Sequence, residues 1–398
     1  MTSQTPAADR EHGSPPLAEL VRAAAAELGF VRTGFARAEP FDDARAALSG
    51  WLERGYEGGL AYLRSGDDRA DPRALLPSAR TIIAVALPYG GRPVALRRGR
   101  DESPLTARIA GYAVGADYHR VLKDKLYALS RACASIVGHP IESRVCVDTA
   151  PLLEREAARR AGIGFTGKST MTIAPGVGTY LLLGELLVNV DIEQSEPVRP
   201  ACGRCTACLD ACPTGAFVGP YLLDARRCIS YVTIENKGPI PRELRSAIGT
   251  RVFGCDECQD VCPFNASSGE RPAAPELAAA KARSDVGLVE LLGLGAAAYR
   301  RLVKQSAMRR IGRDQLKRNA AVALGNTLDP RAVAPLVGAL ASDSSPLVRA
   351  HAAWALGRLG GPEARSALER AKEVERDDAV RDEAVLALAD LEKTNDGR

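Results

Sequence analysis

The chain has 398 residues, of which 46% are hydrophobic, and a formal net charge of +4 at pH 7. This length predicts two or three domains, and the apolar fraction is sufficient for buried cores. The net charge is small for the length, so only a local basic patch would point to nucleic acid. No apolar run approaches the roughly 18–20 residues of a membrane span. Together with cysteines that favour reduced thiolates and no targeting signal, this predicts a cytoplasmic protein.

Predicted helices alternate with predicted strands over residues 17–194, which indicates an α/β domain. Residues 1–16 are polar and are expected to form a disordered start. The predicted helices span residues 17–28, 42–54, 117–135 and 151–160. The predicted strands span residues 31–35, 81–89, 144–148 and 179–190.

Residues 162–169, GIGFTGKS, match the phosphate-binding pattern G-x4-G-K-S. In an NTPase this pattern follows a strand and precedes a helix, whose N–H groups face the phosphate. Here a predicted helix precedes the pattern and a strand-like segment, 169–173, follows it. The context therefore argues against an NTPase, although Lys168 and Ser169 remain candidates for contact with a cofactor that carries phosphate or amide groups.

Asp148 ends a predicted strand in the segment VCVDTAP. A carboxylate at the carboxyl end of a buried strand faces the crevice where open α/β sheets bind ligands. Burial would raise its pKa and keep it protonated as a general acid. The alternative is that Asp148 or Thr149 caps the following helix. His119, one of four histidines, is either a proton donor or substrate contact, or an ordinary surface or core residue.

Eight of the ten cysteines fall between residues 202 and 262. The first run reads C-x2-C-x2-C-x3-C-P and the second reads C-x2-C-x3-C-P. This pattern is typical of two [4Fe–4S] clusters, in which the last cysteine of each run binds the other cluster. The predicted ligands of cluster 1 are Cys202, Cys205, Cys208 and Cys262, and those of cluster 2 are Cys212, Cys228, Cys255 and Cys258.

Residues 229–254 separate Cys228 from Cys255, where a spacing of two residues is usual. This insertion must loop out and return, so it is free to contact another part of the molecule. A disulfide framework would need a secreted chain. Structural zinc would leave the x3-C-P ends of both runs unexplained.

The C-terminal part repeats. Residues 316–325, LKRNAAVALG, align with 348–357 and 380–389. This predicts a small HEAT-like array of helical hairpins, which would form a binding surface. Its start is basic, and a contact with a phosphate backbone is favoured over a merely solvated face. The basic residues are Arg300, Arg301, Lys304, Arg309, Arg310, Arg313, Lys317 and Arg318.

These motifs, in this order, resemble the epoxyqueuosine reductase family over nearly the whole chain after residue 17. The resemblance is carried by VDTAPLLER, GFTGKST, the first cysteine run, CISYVTIENKG, GCDECQDVCPFN and the HEAT-like repeats. It implies the last step of queuosine synthesis, in which an epoxide on the wobble base of tRNA is reduced to an alkene with loss of water. It also implies cobalamin, bound without a protein axial ligand, and a relationship to reductive dehalogenases.

The resemblance implies roles for individual residues. Asp148 would be the acid for the departing oxygen, with Tyr118 and His119 near the substrate. Phe165 and Thr166 depart from the family pattern, in which Trp and an aliphatic residue are expected. The implied cofactor-binding residues are Arg69, Asp148, Lys168, Ser169, Thr172, Ser230 and Tyr231. The implied tRNA contacts are Arg309, Arg310, Arg313, Lys317 and Arg318.

The expected architecture joins four parts: an α/β cobalamin-binding and catalytic domain at 17–194, a ferredoxin-type domain at 195–268, connector helices at 269–299 and a tRNA-binding HEAT-like array at 300–395. The expected partners are tRNA carrying epoxyqueuosine and a low-potential electron donor, with no membrane and a monomeric chain. Two rival functions stay open. One is a cobalamin and iron–sulfur reductase of a small molecule, and the other is a non-enzymatic electron-transfer protein.

Overall fold

The computed structural model describes residues 15–64, 68–90, 105–266, 273–278, 283 and 285–396. Within these ranges an α/β layer, a cysteine-rich module and a helical array follow one another, as predicted. Of the predicted disordered start, residues 1–14 lie outside the described residues, as do parts of the predicted connector at 269–299. Among the described helices, none combines the length and the apolar character needed to cross a bilayer.

A four-stranded sheet lies at the centre of the N-terminal domain, in the order β1-β2-β7-β4. Buried apolar residues pack on both of its faces, which explains why β2 reads as a continuous apolar run. All neighbouring strands run antiparallel, so the crevice argument for Asp148, which depends on parallel strands, does not apply. The strands are β1 (Arg32–Arg37), β2 (Thr81–Pro88), β4 (Ser143–Cys146) and β7 (Leu181–Val188).

The helices of this domain match the predicted ones in place, with one informative difference at the end of β4. Asp117 caps the helix that follows it, because its carboxylate accepts a hydrogen bond from the His119 backbone N–H at 3.1 Å. The helix predicted at 151–160 begins only at Glu154 and has no side-chain cap. Neither Asp148 nor Thr149 is therefore a helix cap. The helices are α1 (Leu17–Glu27), α2 (Asp42–Glu53), α3 (Gly111–Val114), α4 (Tyr118–Val137) and α5 (Glu154–Arg160).

The segment with the phosphate-binding pattern forms a short hairpin of β5 (Phe165–Thr166) and β6 (Thr172–Ile173). It follows α5 and is not followed by a helix, so the rejection of an NTPase stands. The Phe165 ring lies 5.5 Å from the Phe264 ring, centroid to centroid. It packs in a small apolar cluster with Cys202 and Cys262. The Phe165 side chain therefore packs the hairpin against the ligand loops of cluster 1.

The cysteine-rich module consists of short elements, as expected for a chain that wraps around clusters. The insertion at 229–254 holds two helices and a strand that pairs with the α/β domain through β3. The elements are β3 (Arg108–Ile109), α6 (Ala207–Asp210), β8 (Phe217–Gly219), β9 (Leu222–Leu223), α7 (Ile229–Ile234), α8 (Arg242–Ile248), β10 (Arg251–Phe253), α9 (Glu257–Asp260) and α10 (Pro263–Ala266).

The three aligned repeat segments fall in α13, α15 and α17, and helices α14 and α16 lie between them. The glycines that end the first two motifs allow close helix packing. A Cβ at Gly325 would lie 2.8 Å from Ala355, and one at Gly357 would lie 2.8 Å from Ala387. The helices are α11 (Leu288–Leu292), α12 (Ala296–Val303), α13 (Arg313–Thr327), α14 (Val333–Ser342), α15 (Pro346–Leu359), α16 (Pro362–Val374) and α17 (Asp378–Asp396).

A polar joint fixes the insertion to the array. Arg318 is fully buried, and together with Asn319 it donates hydrogen bonds to backbone carbonyls of the insertion. Those carbonyls belong to Val232, Thr233, Asn236, Gly238 and Val252. Lys317 is 9% exposed and pairs with Asp343. The prediction that Lys317 and Arg318 contact tRNA is therefore wrong, because both cations are already paired inside the protein.

Candidate active site and iron–sulfur centres

The eight cysteines of the two runs form the two groups that their spacing predicts. The Cys262 thiol interacts electrostatically with those of Cys202, Cys205 and Cys208. In the second group Cys228 interacts with Cys212, Cys255 with Cys228, and Cys258 with Cys255 and Cys228. Cys258 also interacts with Cys208 of the first group, so the two groups are adjacent. The last cysteine of each run therefore crosses to the other group, as two [4Fe–4S] clusters require.

The thiols in each group are spread more widely than the ligands of a single ion. Within the described ranges, no three His, Cys, Asp or Glu side chains are grouped so that they could hold one metal ion. In a four-iron cube each thiolate binds a different iron atom, so the ligands surround a larger object. The donor set and its spacing thus fit a cube better than mononuclear zinc.

Lys168 contacts the ligand loop of cluster 1. Its ammonium group donates hydrogen bonds to the backbone carbonyls of Gly203 at 2.8 Å and Cys205 at 2.9 Å. The resemblance placed Lys168 beside the corrin, whereas here two of its three N–H donors are taken up by this loop. The Gly-rich hairpin therefore positions a cluster loop.

Asp148 lies at the meeting point of three parts of the chain. Its Oδ2 is 3.0 Å from His119 Nε2 and 3.4 Å from Arg310 Nη1. Its backbone N–H donates to the Glu154 carboxylate, and its φ of 49° is rare for a residue with a side chain. Such strained conformations persist where the surroundings fix them, and they cluster at active sites. The carboxylate is therefore held in place from several directions.

His119 is clamped between two carboxylates. Its Nδ1 lies 2.8 Å from Asp117 Oδ1, opposite the contact with Asp148, and its ring stacks on Tyr118 with centroids 4.0 Å apart. A histidine donates from both nitrogens only when it is protonated. Burial acts to lower the pKa of His119, but the hydrogen bonds to Asp148 and Asp117 outweigh it and raise that pKa above its usual value.

The Asp148 carboxyl titrates in the direction opposite to the one predicted. Burial does act to raise its pKa, but the hydrogen bond from His119 and the charges of His119 and Arg310 outweigh burial, so that the pKa is lowered. The prediction of a protonated Asp148 was wrong because these partners are distant in sequence. These two shifts favour a proton on His119 and a carboxylate at Asp148.

Two buried glutamates behind Asp148 were missed in the sequence. Burial and the charge of Asp148 raise the pKa of Glu154 to about 7. Glu185 in β7 is fully buried, and neither of its carboxylate oxygens has a hydrogen-bond partner among the described residues. Burial therefore raises its pKa well above the usual range. A lone Glu within the apolar run LLLGELLV is the signal that could have identified it.

Arg310 joins the start of the array to this site. Its Nε donates to Glu235 at 2.5 Å, and its contact with Asp148 completes a bridge between the insertion and the α/β domain. Arg310 is therefore occupied in the active-site network, whereas the sequence placed it on the tRNA surface. Of the other predicted tRNA contacts, Arg309 is exposed and Arg313 is half-buried beside Asp314.

The other predicted cofactor-binding residues differ in their exposure and in the hydrogen bonds that they already form. Arg69 lies over the Tyr62 ring, and its buried Nε has no hydrogen-bond partner in the described part of the chain. Ser169 and Thr172 are each only 6% exposed. The remaining two lie in α7, where Ser230 is half-buried and the Tyr231 hydroxyl accepts a hydrogen bond from the Gly59 N–H at 2.6 Å. Arg69 therefore has a buried donor that is available to a ligand.

The His119 clamp has a measurable consequence. In NMR spectra of histidine-labelled protein, we expect His119 to titrate above the usual histidine pKa of about 6.5. The substitution D148N should lower this pKa, because it removes one of the two carboxylates that stabilise the imidazolium. His351 is the internal control, since burial lowers its pKa well below the usual range and keeps it neutral. A His119 that titrates at or below the usual value would contradict this description.

Three parts of the chain match described families. Residues 69–149 match "Epoxyqueuosine reductase QueG, DUF1730", residues 201–265 match a 4Fe-4S double cluster binding domain, and residues 306–389 match HEAT repeats. Epoxyqueuosine reductase of Pseudomonas aeruginosa is 40% identical over 368 residues, which cover 89% of this chain and 99% of that protein. The enzyme of Alicycliphilus denitrificans is 39% identical over 356 residues, covering 86% and 98%.

Solved structures agree with these relatives. An epoxyqueuosine reductase crystallised with an epoxyqueuosine-modified tRNA-Tyr stem loop superposes with a TM-score of 0.87 at 34% identity, covering 94% of this chain and 99% of that one. The Bacillus subtilis enzyme, with the loop of its catalytic aspartate swung out of the active site, gives a TM-score of 0.86 at 34% identity, covering 94% and 99%. The chain belongs to the epoxyqueuosine reductase family.

Proposed function

We propose that this protein reduces epoxyqueuosine to queuosine at the wobble position of tRNA, the last step of queuosine synthesis. The observation that carries the proposal is the Asp148 carboxyl group, which has a left-handed backbone conformation, lies 3.0 Å from His119 Nε2 and is close to a two-cluster module. A plain electron carrier has no need of such a proton-holding site. The expectations of a monomeric chain and a cytoplasmic location stay predictions.

The reaction consumes two electrons and two protons, because the epoxide oxygen leaves as water and an alkene remains. Each [4Fe–4S] cluster passes one electron at a time. Tyr112 lies between the cluster module and the acid site, because the neighbouring Gly111 N–H donates to Asp256 at 2.7 Å and the Tyr112 ring lies 5.9 Å from the ring of Tyr118. Asp256 follows the cluster 2 ligand Cys255. We therefore place cluster 2 as the last cluster before the substrate.

Cobalamin is the cofactor that the family resemblance implies, and Arg69 fits it best. The buried Nε of Arg69 lacks a partner among the described residues, and the phosphate and amide oxygens of a corrin would satisfy it. Bound cobalamin supplies a centre that collects electrons and acts on carbon. Tyr231 and Ser230 would lie on the insertion side of this cofactor. Lys168, with its ammonium group engaged by the cluster 1 loop, is not assigned to it.

Asp148 and His119 together supply the proton for the departing oxygen in this proposal. The two carboxylates beside His119 raise its pKa and so favour the imidazolium, whose Nε2 lies 3.0 Å from Asp148 Oδ2. As negative charge develops on the oxygen, Arg310 would stabilise it and one proton would pass through Asp148, while a second proton, taken up from solvent, completes the departing water molecule. Glu154 keeps the Asp148 backbone in position. Tyr118, hydrogen-bonded to Asp148, limits the freedom of the carboxylate.

The array at 300–395 would hold the anticodon arm, through the residues whose charges face solvent. Arg309 is exposed, and Arg313 is half-buried beside a single carboxylate. Phosphate contacts of this kind add affinity and make it fall with salt. Lys317 and Arg318 are excluded from this surface by their burial.

Nucleoside mass spectrometry tests the function directly. Anaerobic incubation of epoxyqueuosine-containing tRNA with the reconstituted protein, cobalamin and a strong chemical reductant should yield queuosine. Omitting cobalamin should abolish the conversion, because the clusters alone carry single electrons. No conversion, with both clusters intact by iron analysis, would contradict the proposal and favour a reductase of small molecules.

Two substitutions in the same basic stretch distinguish an effect on tRNA binding from an effect on folding. We expect R309E to weaken tRNA binding and to flatten its salt dependence by about one phosphate contact, with an unchanged melting temperature. R318A should instead lower the free energy of unfolding by about 2–4 kcal/mol, because it leaves several buried carbonyls without donors. Filter binding over a salt series and thermal melts measure the two effects. Normal tRNA affinity in R309E would move the tRNA surface elsewhere.

A further inference from the structure

The two clusters differ in how their ligands meet solvent. Among the eight ligand cysteines, Cys205 is the exposed one, and Cys262 is buried. The residues on either side of Cys205, from Gly203 to Thr206, are exposed as well. Cluster 1 therefore reaches the surface at one edge of its ligand loop. Cluster 2, beside Asp256 and the acid site, lies on the inner side.

A second element flanks this exposed loop. The hairpin of β8 and β9 carries two large apolar side chains in solvent, Val218 at 46% and Tyr221 at 50% exposure. Its tip is tied to the loop through one residue, since the Tyr221 N–H donates to the Lys168 carbonyl while the Lys168 ammonium group binds the carbonyls of Gly203 and Cys205. The exposed apolar side chains of this hairpin therefore lie next to the exposed ligand loop of cluster 1.

The rim of this surface is basic. Arg199 and Arg204 are exposed, and neither forms an ion pair or hydrogen bond with another described residue. The adjacent Val198 packs against the small apolar group that contains Cys262, a predicted ligand of cluster 1, so Arg199 lies near the cluster. Carboxylates on this stretch of the chain are the exposed Glu196 and Asp210, which accepts a hydrogen bond from Thr206. Lys168 adds a further positive charge.

We propose that this surface, formed by Lys168, Arg199, Arg204, Cys205, Val218 and Tyr221, docks the electron donor, a small acidic one-electron carrier protein. A small apolar centre with a charged rim is the make-up of transient redox interfaces, which bury little area. The positive rim attracts an acidic partner and orients it towards the cluster. One electron leaves the reduced carrier, which is oxidised, and enters cluster 1, which is reduced. The inference rests on the proposed function only in what the electrons are used for.

Binding is the first test, with the holoenzyme, no tRNA and an acidic [2Fe–2S] ferredoxin as the probe. Isothermal titration calorimetry at low ionic strength compares the native protein with R199E/R204E and V218E. We expect each surface variant to raise the Kd about tenfold or more, because charge reversal and a buried charge both oppose docking. V218E is needed because Arg204 lies within the ligand loop of cluster 1, where a substitution could affect the cluster itself. Iron analysis checks that both variants keep their clusters. The matched control is R131E, a charge reversal at an exposed arginine in α4.

Turnover is the second test, with two reductants. Queuosine formation driven by the reduced ferredoxin should fall in parallel with binding in the surface variants and not in R131E. Formation driven by titanium(III) citrate, which needs no protein dock, should be equal in all four proteins. Unchanged Kd and unchanged ferredoxin-driven rates in both surface variants would overturn the proposal, as would an equal loss in R131E. If the native enzyme makes no queuosine with titanium(III) citrate, the proposed function is contradicted instead. The Kd values from calorimetry still show whether this surface binds the ferredoxin.

Discussion

The carboxylate of Asp148 is the constraint on which the arrangement of the site depends. His119 from the α/β domain and Arg310 from the start of the array both contact this carboxylate. The Glu154 carboxylate accepts a hydrogen bond from the Asp148 backbone N–H, and this backbone has a left-handed conformation. An unpaired carboxylate in this partly buried place would be protonated or would destabilise the fold. The contacts with His119 and Arg310 lower the pKa of Asp148, and the contact with Asp148 raises the pKa of His119. A site of this kind holds a proton close to where it is used, at a cost in strain that the surrounding packing offsets.

The insertion between Cys228 and Cys255, two predicted ligands of cluster 2, links this site to the rest of the molecule. Its carbonyls accept hydrogen bonds from the buried Arg318 and Asn319, and its Glu235 pairs with Arg310. The HEAT-like array is therefore attached to the same segment that begins with a cluster ligand. The array and the cluster module thus share a rigid joint, so that an RNA bound on the array has a defined position relative to Asp148.

Much of this could be predicted from local patterns. The cysteine spacing predicts both ligand sets, because a cube demands four thiolates and short turns supply three of them. The repeated ALG motifs and the apolar run of β2 likewise reflect local rules. The errors come from contacts between distant segments. A run of basic residues gives the same sequence pattern whether its side chains are exposed, as that of Arg309 is, or buried, as that of Arg318 is. The ionisation of Asp148 depends on partners from two other parts of the chain, and burial of the segment alone gives the wrong direction.

The central claim is that the Asp148 network supplies the proton that the departing oxygen needs. The most direct measurement is the single-turnover rate of epoxyqueuosine reduction in the native enzyme and in D148N, each with full cluster content and measured tRNA affinity. We predict that D148N binds tRNA and both clusters normally but converts the nucleoside at least about 100-fold more slowly, the usual range for loss of general acid catalysis. A rate within a few-fold of the native enzyme would contradict the account.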